Sequence, residues 1–208
     1  MDKKNENKLN ASAIILAGGQ SSRMHRNKAF LRLDGIPLVE RTLDLLNDIF
    51  AEVLISSNEP ELYRAYDVPV VRDQVTGHGP IAGLQAGLTA AHYEACFFVA
   101  CDMPFLDPAL IRHLAQWRED FDVLVPQDRS GLHPLHAFYK KTCLPHIEKN
   151  LKAGRLKIID FYPACSVRYV DTAEMAGYGD LETIFANVNT PEEWANIEAR
   201  SSRHITLQ

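Results

Sequence analysis

The chain has 208 residues, 46% of them hydrophobic and 24% charged, with a formal net charge of −5. That length suits one or two domains of about 100–200 residues each, and the composition excludes a disordered chain. The acidic balance speaks against nucleic-acid or membrane-surface binding, although a local basic loop can still oppose the global sign toward a small anion.

Residues 1–10 (MDKKNENKLN) form a polar tail without the apolar stretch of a signal peptide. Ala11–Ala17 is an apolar run ending in Gly18-Gly19, the pattern of a buried parallel strand feeding a loop. Pro37 then opens a helical stripe through Leu38, Val39, Leu43, Leu46 and Ile49. Ala51–Ser56 reads as a second strand, Glu59–Tyr66 as a short helix and Val68–Val71 as a third strand before the loop Asp73–Gly79. Pro80–Ala91 reads as a helix in which Gly83 and Gly87, with Gly79 just ahead of it, allow a close neighbour. Ala95–Cys101 is the longest apolar run, far below the roughly 18 residues that span a bilayer. Asp107–Trp117 reads as a helix with Asp107 as N-cap and Pro108 at N1. Strands follow at Asp122–Pro126, Leu135–Tyr139 and Ser166–Val170, with a helix at Thr142–Ala153. Glu192–Arg200 closes as a helix behind Thr190 and Pro191, and residues 201–208 form a tail.

This alternation implies an α/β fold with a doubly wound, mostly parallel sheet, and no linker divides it, so a single domain over residues 11–200 is expected. The four cysteines (Cys96, Cys101, Cys143, Cys165) contain no C-x-x-C pair and read as core residues in a cytoplasmic protein.

Ligands of open α/β sheets sit outside the carboxyl ends of the strands. After the first strand, Gly18 to Leu33 holds Arg23, Arg26, Lys28 and Arg32 and no acid. Glycines let backbone N–H groups approach phosphate oxygens, and the cations neutralise them. Asp102 follows the fourth strand, where its carboxylate can bind Mg²⁺ through oxygen or serve as a turn residue. Asp73 occupies the corresponding end of the third strand, and Asn58 that of the second, where it reads as a helix N-cap. Together they suggest a nucleoside triphosphate bound with Mg²⁺. His133 and His136 flank Pro134-Leu135 without a recognisable ligand set and read as surface or structural.

The run LAGGQSSRMHRNK resembles the signature of the molybdenum cofactor guanylyltransferase family, LAGG-x-S-x-RMG-x-x-K. Gly79-Pro80-Ile81-Ala82-Gly83-Leu84, Cys101-Asp102-Met103-Pro104 and Asn187-Val188-Asn189-Thr190-Pro191-Glu192 extend the resemblance in family order over roughly residues 12–200. The family glycine after Arg-Met is His25 here: a glycine allows close approach to phosphate or a positive φ, and a histidine could instead donate to phosphate itself.

The resemblance implies a Rossmann-like fold, with a nucleotide-binding half at about 11–105 and an acceptor-side half at 106–200. It implies transfer of GMP from GTP to molybdopterin with Mg²⁺ as cofactor, and molybdoenzyme maturation proteins as further partners. Arg23 and Lys28 would stabilise the phosphates as catalytic residues, and Asp102 would hold the metal. The backbone of Leu16, Ala17 and Gly18, with Lys28, Asn58, Asp73 and Asp102, would bind the nucleotide. Arg155, Asn187 and Asn189 would lie on the acceptor side, and no histidine is required as a base because the attacking phosphate is already ionised. A cytidylyltransferase, a sugar-phosphate nucleotidyltransferase and a non-catalytic nucleotide or cofactor binder remain the alternatives.

Overall fold

Successive residues of a strand point to opposite faces, so a strand buried on both faces must be apolar throughout. The second half of the first strand, β1 (Leu9–Leu16), is of this kind: Ala13 and Ile15 enter one hydrophobic cluster, Ile14 and Leu16 another. The computed structural model describes residues 8–18, 27–73 and 77–205. Arg23 and His25, both singled out above, lie outside them.

A hairpin of β2 (Arg32–Leu33) and β3 (Ile36–Pro37) turns on Asp34 and Gly35, both at positive φ (53° and 81°), as a two-residue turn requires. Helix α1 (Leu38–Ile49) follows, then β4 (Phe50–Ser56), β5 (Val70–Val71), α2 (Pro80–Ala90) and β6 (Ala95–Ala100). The second half comprises α3 (Pro108–Leu114), β7 (Val123–Asp128), β8 (Gly131–Leu132), β9 (His136–Lys140), α4 (Leu144–Lys152) and β10 (Val167–Val170). Short helices α5 (Thr172–Met175) and α6 (Leu181–Ile184) precede α7 (Pro191–Ile205).

The sheet runs β10-β7-β9-β6-β1-β4-β5, with β8 paired to β7. Strands β6, β1, β4 and β5 are mutually parallel, as are β7 and β10, whereas β9 runs antiparallel between β6 and β7. Helices α1, α3 and α6 cover one face of the sheet, and α2 and α4 the other. The doubly wound, mostly parallel architecture expected from the sequence is therefore present.

Local signals account for most boundaries. Asp107 accepts from the Leu110 N–H at 2.8 Å and caps α3, with Pro108 behind it. Thr190 accepts from the Glu193 N–H, and the Glu193 carboxylate accepts in return from the Asn189 and Thr190 N–H groups. This reciprocal capping box starts α7 and holds Asn189 in place. Two of the α2 glycines are sites of close packing. A Cβ on Gly87 would lie 2.8 Å from Phe98 Cε1, and one on Gly83 2.8 Å from Leu16 Cδ2. The expected helix at Glu59–Tyr66 is only a 3-10 turn over Pro60–Tyr63, and its cap position is Glu59 rather than Asn58. All four cysteines are free; Cys96 and Cys143 are buried, Cys101 and Cys165 partly so. No helix among the described residues is long and apolar enough to cross a membrane.

Candidate active site

Parallel pairing brings the carboxyl ends of β6, β1, β4 and β5 to one edge, and the sequence continues from each into a loop. A cavity of about 220 Å³ opens there between the ends of β1 and β6 and the start of α2, lined among others by Leu16, Gly18, Lys28, Ser56, Asp73 and Asp102. Its floor exists because Gly83 lacks a side chain: a Cβ would meet Leu16 Cδ2 at 2.8 Å and Ser56 Oγ at 3.0 Å. Gly79, at φ +66°, turns the chain into α2 at the same rim.

Lys28 is the centre of charge. It begins a 3-10 turn (Lys28–Phe30) capped by Asn27, whose side chain accepts from the Ala29 N–H. Its Nζ donates to Asp102 Oδ2 and to Asn189 Oδ1, both at 2.8 Å. The Lys28 and Asp102 side chains are each 16% exposed, so the pair is shielded but reachable. Asp102 is fixed by its backbone, since its carbonyl accepts from the Val188 N–H at 2.9 Å. That bond brings the 187–189 segment against the loop after β6. Lys28 and Asn189, 161 positions apart in the chain, thereby meet.

On the other side of the cavity Asp73 is held by three groups. Asn58 Nδ2 donates to Asp73 Oδ2 at 3.0 Å, the Asp73 N–H donates to Asn58 Oδ1 at 3.1 Å, and Ser56 Oγ lies 3.5 Å from Oδ1. The reading of Asn58 as an N-cap is thus corrected. Its amide finds a carboxylate across the gap between β4 and β5, a stronger partner than an N–H of a single 3-10 turn.

Most of the backbone groups of Leu16 and Ala17 are engaged within the fold. Leu16 O accepts from the Cys101 N–H, the Ala17 N–H donates to Ser56 O, and Ala17 O accepts from the Tyr63 hydroxyl at 3.3 Å. Burial pushes the Tyr63 phenol up to about 12, so it stays a donor beneath the loop. These bonds leave Gly18, which is exposed and where an added Cβ would meet nothing within 4 Å among the described residues, as the backbone group of the three that stays open. Cys101 also lines the cavity; burial, and secondarily the charge of Asp102, raise its thiol to about 12 and keep it neutral.

The acceptor-side expectations separate in space. Asn189 joins the Lys28 cluster, whereas Asn187 lines a second cavity of about 680 Å³ with Asp128, His133, Glu182 and Phe185. Arg155 is exposed in the turn that ends α4, where its N–H donates to Asn150 O and Gly154 has φ +68°. It lines neither cavity. Ser56 and Tyr63 were not anticipated as site residues, whereas Gly83 was singled out for close packing and within a family motif.

The oxygen donors suit a hard divalent cation. Among the described residues no cluster of three His, Cys, Asp or Glu side chains forms a closed metal site. A lone carboxylate, Asp102, with an amide oxygen nearby fits Mg²⁺, which keeps several waters and takes its remaining ligands from substrate phosphates.

This geometry has relatives. A family model described as MobA-like NTP transferase domain matches residues 13–165. The chain belongs to that family. It is a nucleotidyltransferase. A curated relative from Pelotomaculum thermopropionicum, named "Probable molybdenum cofactor guanylyltransferase", is 41% identical over 94% of this chain and 96% of its own length. Another from Desulfosudis oleivorans, named "Molybdenum cofactor guanylyltransferase", is 36% identical over 90% and 94%. Among solved structures, molybdopterin-guanine dinucleotide biosynthesis protein A from Archaeoglobus fulgidus superposes with a TM-score of 0.82 at 26% identity. That match covers 92% of this chain and 99% of the other. In this chain the Lys28–Asp102–Asn189 cluster stands at the carboxyl edge of the sheet.

Proposed function

We propose that this chain transfers GMP from GTP to the terminal phosphate of molybdopterin and releases pyrophosphate. The observation that carries this reading is the Lys28 ammonium shared between Asp102 and Asn189 at the mouth of the nucleotide cavity. The names of full-length relatives at 36–41% identity supply the substrates.

Two anions must meet for the reaction to proceed. At 4 Å and an effective dielectric near 20, their repulsion is about 4 kcal/mol per pair of unit charges. Phosphoryl-type transfer asks chiefly for positioning and charge stabilisation, not for a protein base. Lys28 would give its N–H donors to the triphosphate, and Arg23, by the family resemblance, would add a second cation. Asp102 and Asn189 would hold Mg²⁺, which when bound screens the phosphate charge. Asp73, oriented by Asn58 and Ser56, would accept N–H groups of the guanine edge, and the Gly18 N–H would approach the phosphates. Asn187 and Arg155 would serve the acceptor. The reading carries with it a cytoplasmic location and hand-over of the product to molybdoenzyme maturation proteins.

The test is pyrophosphate release with Mg²⁺, molybdopterin and each of GTP, CTP, ATP and UTP in turn, with Asp102→Ala as control. Release with GTP alone, absent in the variant, is expected. Release with CTP instead would overturn the base assignment, and silence with all four nucleotides would leave a binding role.

A further inference from the structure

Cys143 and Cys165 stand 22 positions apart in the chain, yet their sulfurs meet at 3.9 Å. Asp122, just ahead of β7, gathers both segments. Its carboxylate accepts from Thr142 Oγ1 at 2.6 Å and from the Ser166 N–H at 2.8 Å. Its N–H donates to Ser166 O, and its carbonyl accepts from the Lys140 N–H and, at 3.3 Å, from the Cys143 thiol. The neighbours of the two cysteines are thus fixed to one residue, and the sulfurs are held side by side. Cys143 is buried in the hydrophobic cluster under α2 and α4, whereas Cys165, in extended backbone just ahead of β10, is half-buried.

Among the described residues no third His, Cys, Asp or Glu completes a metal set with them, which leaves the pair to thiol chemistry. A disulfide requires about 2.05 Å between sulfurs, so they must close by about 2 Å. Rotation about the Cα–Cβ bond of half-buried Cys165 moves its sulfur through that range while Cys143 stays packed.

We propose that Cys143 and Cys165 are a reversible modification site, which a low-molecular-weight disulfide such as glutathione disulfide oxidises to an intramolecular bond that fastens the 143–165 excursion. The Cys165 thiolate attacks one sulfur of glutathione disulfide, whose S–S bond breaks. One glutathione leaves as a thiol with the proton that Cys165 lost, and a mixed disulfide remains. Cys143 then gives up its proton and attacks Cys165 Sγ, expelling the second glutathione as a thiol. Two electrons pass from the cysteines to the oxidant, and exchange with excess glutathione restores the dithiol. Cys165 reacts first because the oxidant reaches it. Burial pushes both thiols up, opposed at Cys165 by the adjacent Cys143 thiol, so exchange is slow and follows the accumulation of oxidant. The bond closes a loop holding α4, the Arg155 turn and the 3-10 turns over Ile158–Ala164, and it restricts the unfolded chain more than the folded one. Neither cysteine lines the nucleotide cavity, and the inference is independent of guanylyl transfer.

The full-length protein is incubated with glutathione disulfide in mildly alkaline buffer, quenched with an alkylating agent and digested with trypsin. Peptides 142–149 and 158–168, joined by a bond that dithiothreitol cleaves, are expected. The thiols that alkylate in denaturant should fall from four to two. Cys143→Ala should halt at the mixed disulfide on Cys165. Cys165→Ala, at the half-buried position where folding is least disturbed, should leave Cys143 a free thiol. Oxidised wild-type protein should melt about 5 °C or more above the reduced form, a difference that Cys165→Ala abolishes. Peptides joined through Cys96 or Cys101, glutathione retained on Cys165 of the wild-type protein, or four thiols still free after oxidation would overturn the assignment. Equal melting of oxidised and reduced protein would overturn the fastening.

Discussion

The Lys28–Asp102 pair places an ammonium where a cation would otherwise approach the carboxylate, and that has a measurable consequence. At 2.8 Å and an effective dielectric near 20, the bare attraction is about 6 kcal/mol. Both side chains are 16% exposed, so solvent screening and the cost of desolvating the charges reduce the net to about 1–3 kcal/mol, between surface and buried pairs. A divalent ion arriving alone forfeits that energy when it displaces Lys28. Arriving with a triphosphate, it does not, because the phosphates give the ammonium a new partner. Lys28→Met should therefore shift two affinities in opposite directions. Binding of Mn²⁺ alone should tighten by about tenfold, the equivalent of roughly 1.4 kcal/mol. Binding of GTP with Mn²⁺, measured without acceptor so that nothing turns over, should weaken by a similar factor. Isothermal titration of wild-type and variant protein reads both quantities. If Lys28→Met left metal-only binding unchanged or weaker, Lys28 would not be guarding Asp102 and the reasoning would fail.

Three further expectations follow from packing and charge. Gly87→Ala should lower stability by about 1–3 kcal/mol in urea melts, outweighing its gain in helix propensity, because the added Cβ meets Phe98 Cε1 at 2.8 Å and Ile14 Cγ2 at 3.0 Å; an unchanged midpoint would show that α2 can lift freely. His136 is fully buried, neither ring nitrogen meets a hydrogen-bond partner among the described residues, and burial with the charge of His133 lowers it to about 3. The unfolded chain takes up that proton as pH falls through about 6.5 while the folded chain does not, so stability should drop by about 2 kcal/mol between pH 7 and pH 5. His136→Leu should remove that increment, and equal pH dependence in both proteins would contradict it. Glu193→Ala breaks the box that holds Asn189 and should cost about 1 kcal/mol by urea melt, with GTP affinity falling as Lys28 loses a fixed partner; no change in either would mean that α7 does not position Asn189.

Much of the fold was legible because its determinants are local. Two-sided apolar strands, the Asp107-Pro108 and Thr190-Pro191 starts and the helical stripe of α1 each depend on residues within a few positions of one another. The Asp34-Gly35 hairpin carried an equally local signal, a two-residue turn of the kind Asp-Gly favours, but the apolar pattern around it is too short to reveal its strands. The antiparallel insertion of β9 had no such signal. An apolar strand reads alike in either direction, and pairing is decided by which hydrophobic faces meet in space.

The candidate site divides on the same principle. Position after a strand is a property of the chain, and it sufficed to single out Lys28, Asp73 and Asp102 as ligand-edge residues. What each of them touches is not. Asn58 turns to Asp73 because parallel pairing sets β4 beside β5, and Asn189 reaches Lys28 because the Asp102 carbonyl holds Val188. His133 meets the ring of Phe185, just past the end of α6, only because the folded chain brings the two together. Sequence alone determined the family, the sheet and the residues along its ligand edge, since these follow from local pattern and order. Only the tertiary structure decided which of them share one charge and which line a separate cavity, because contacts between distant segments depend on packing.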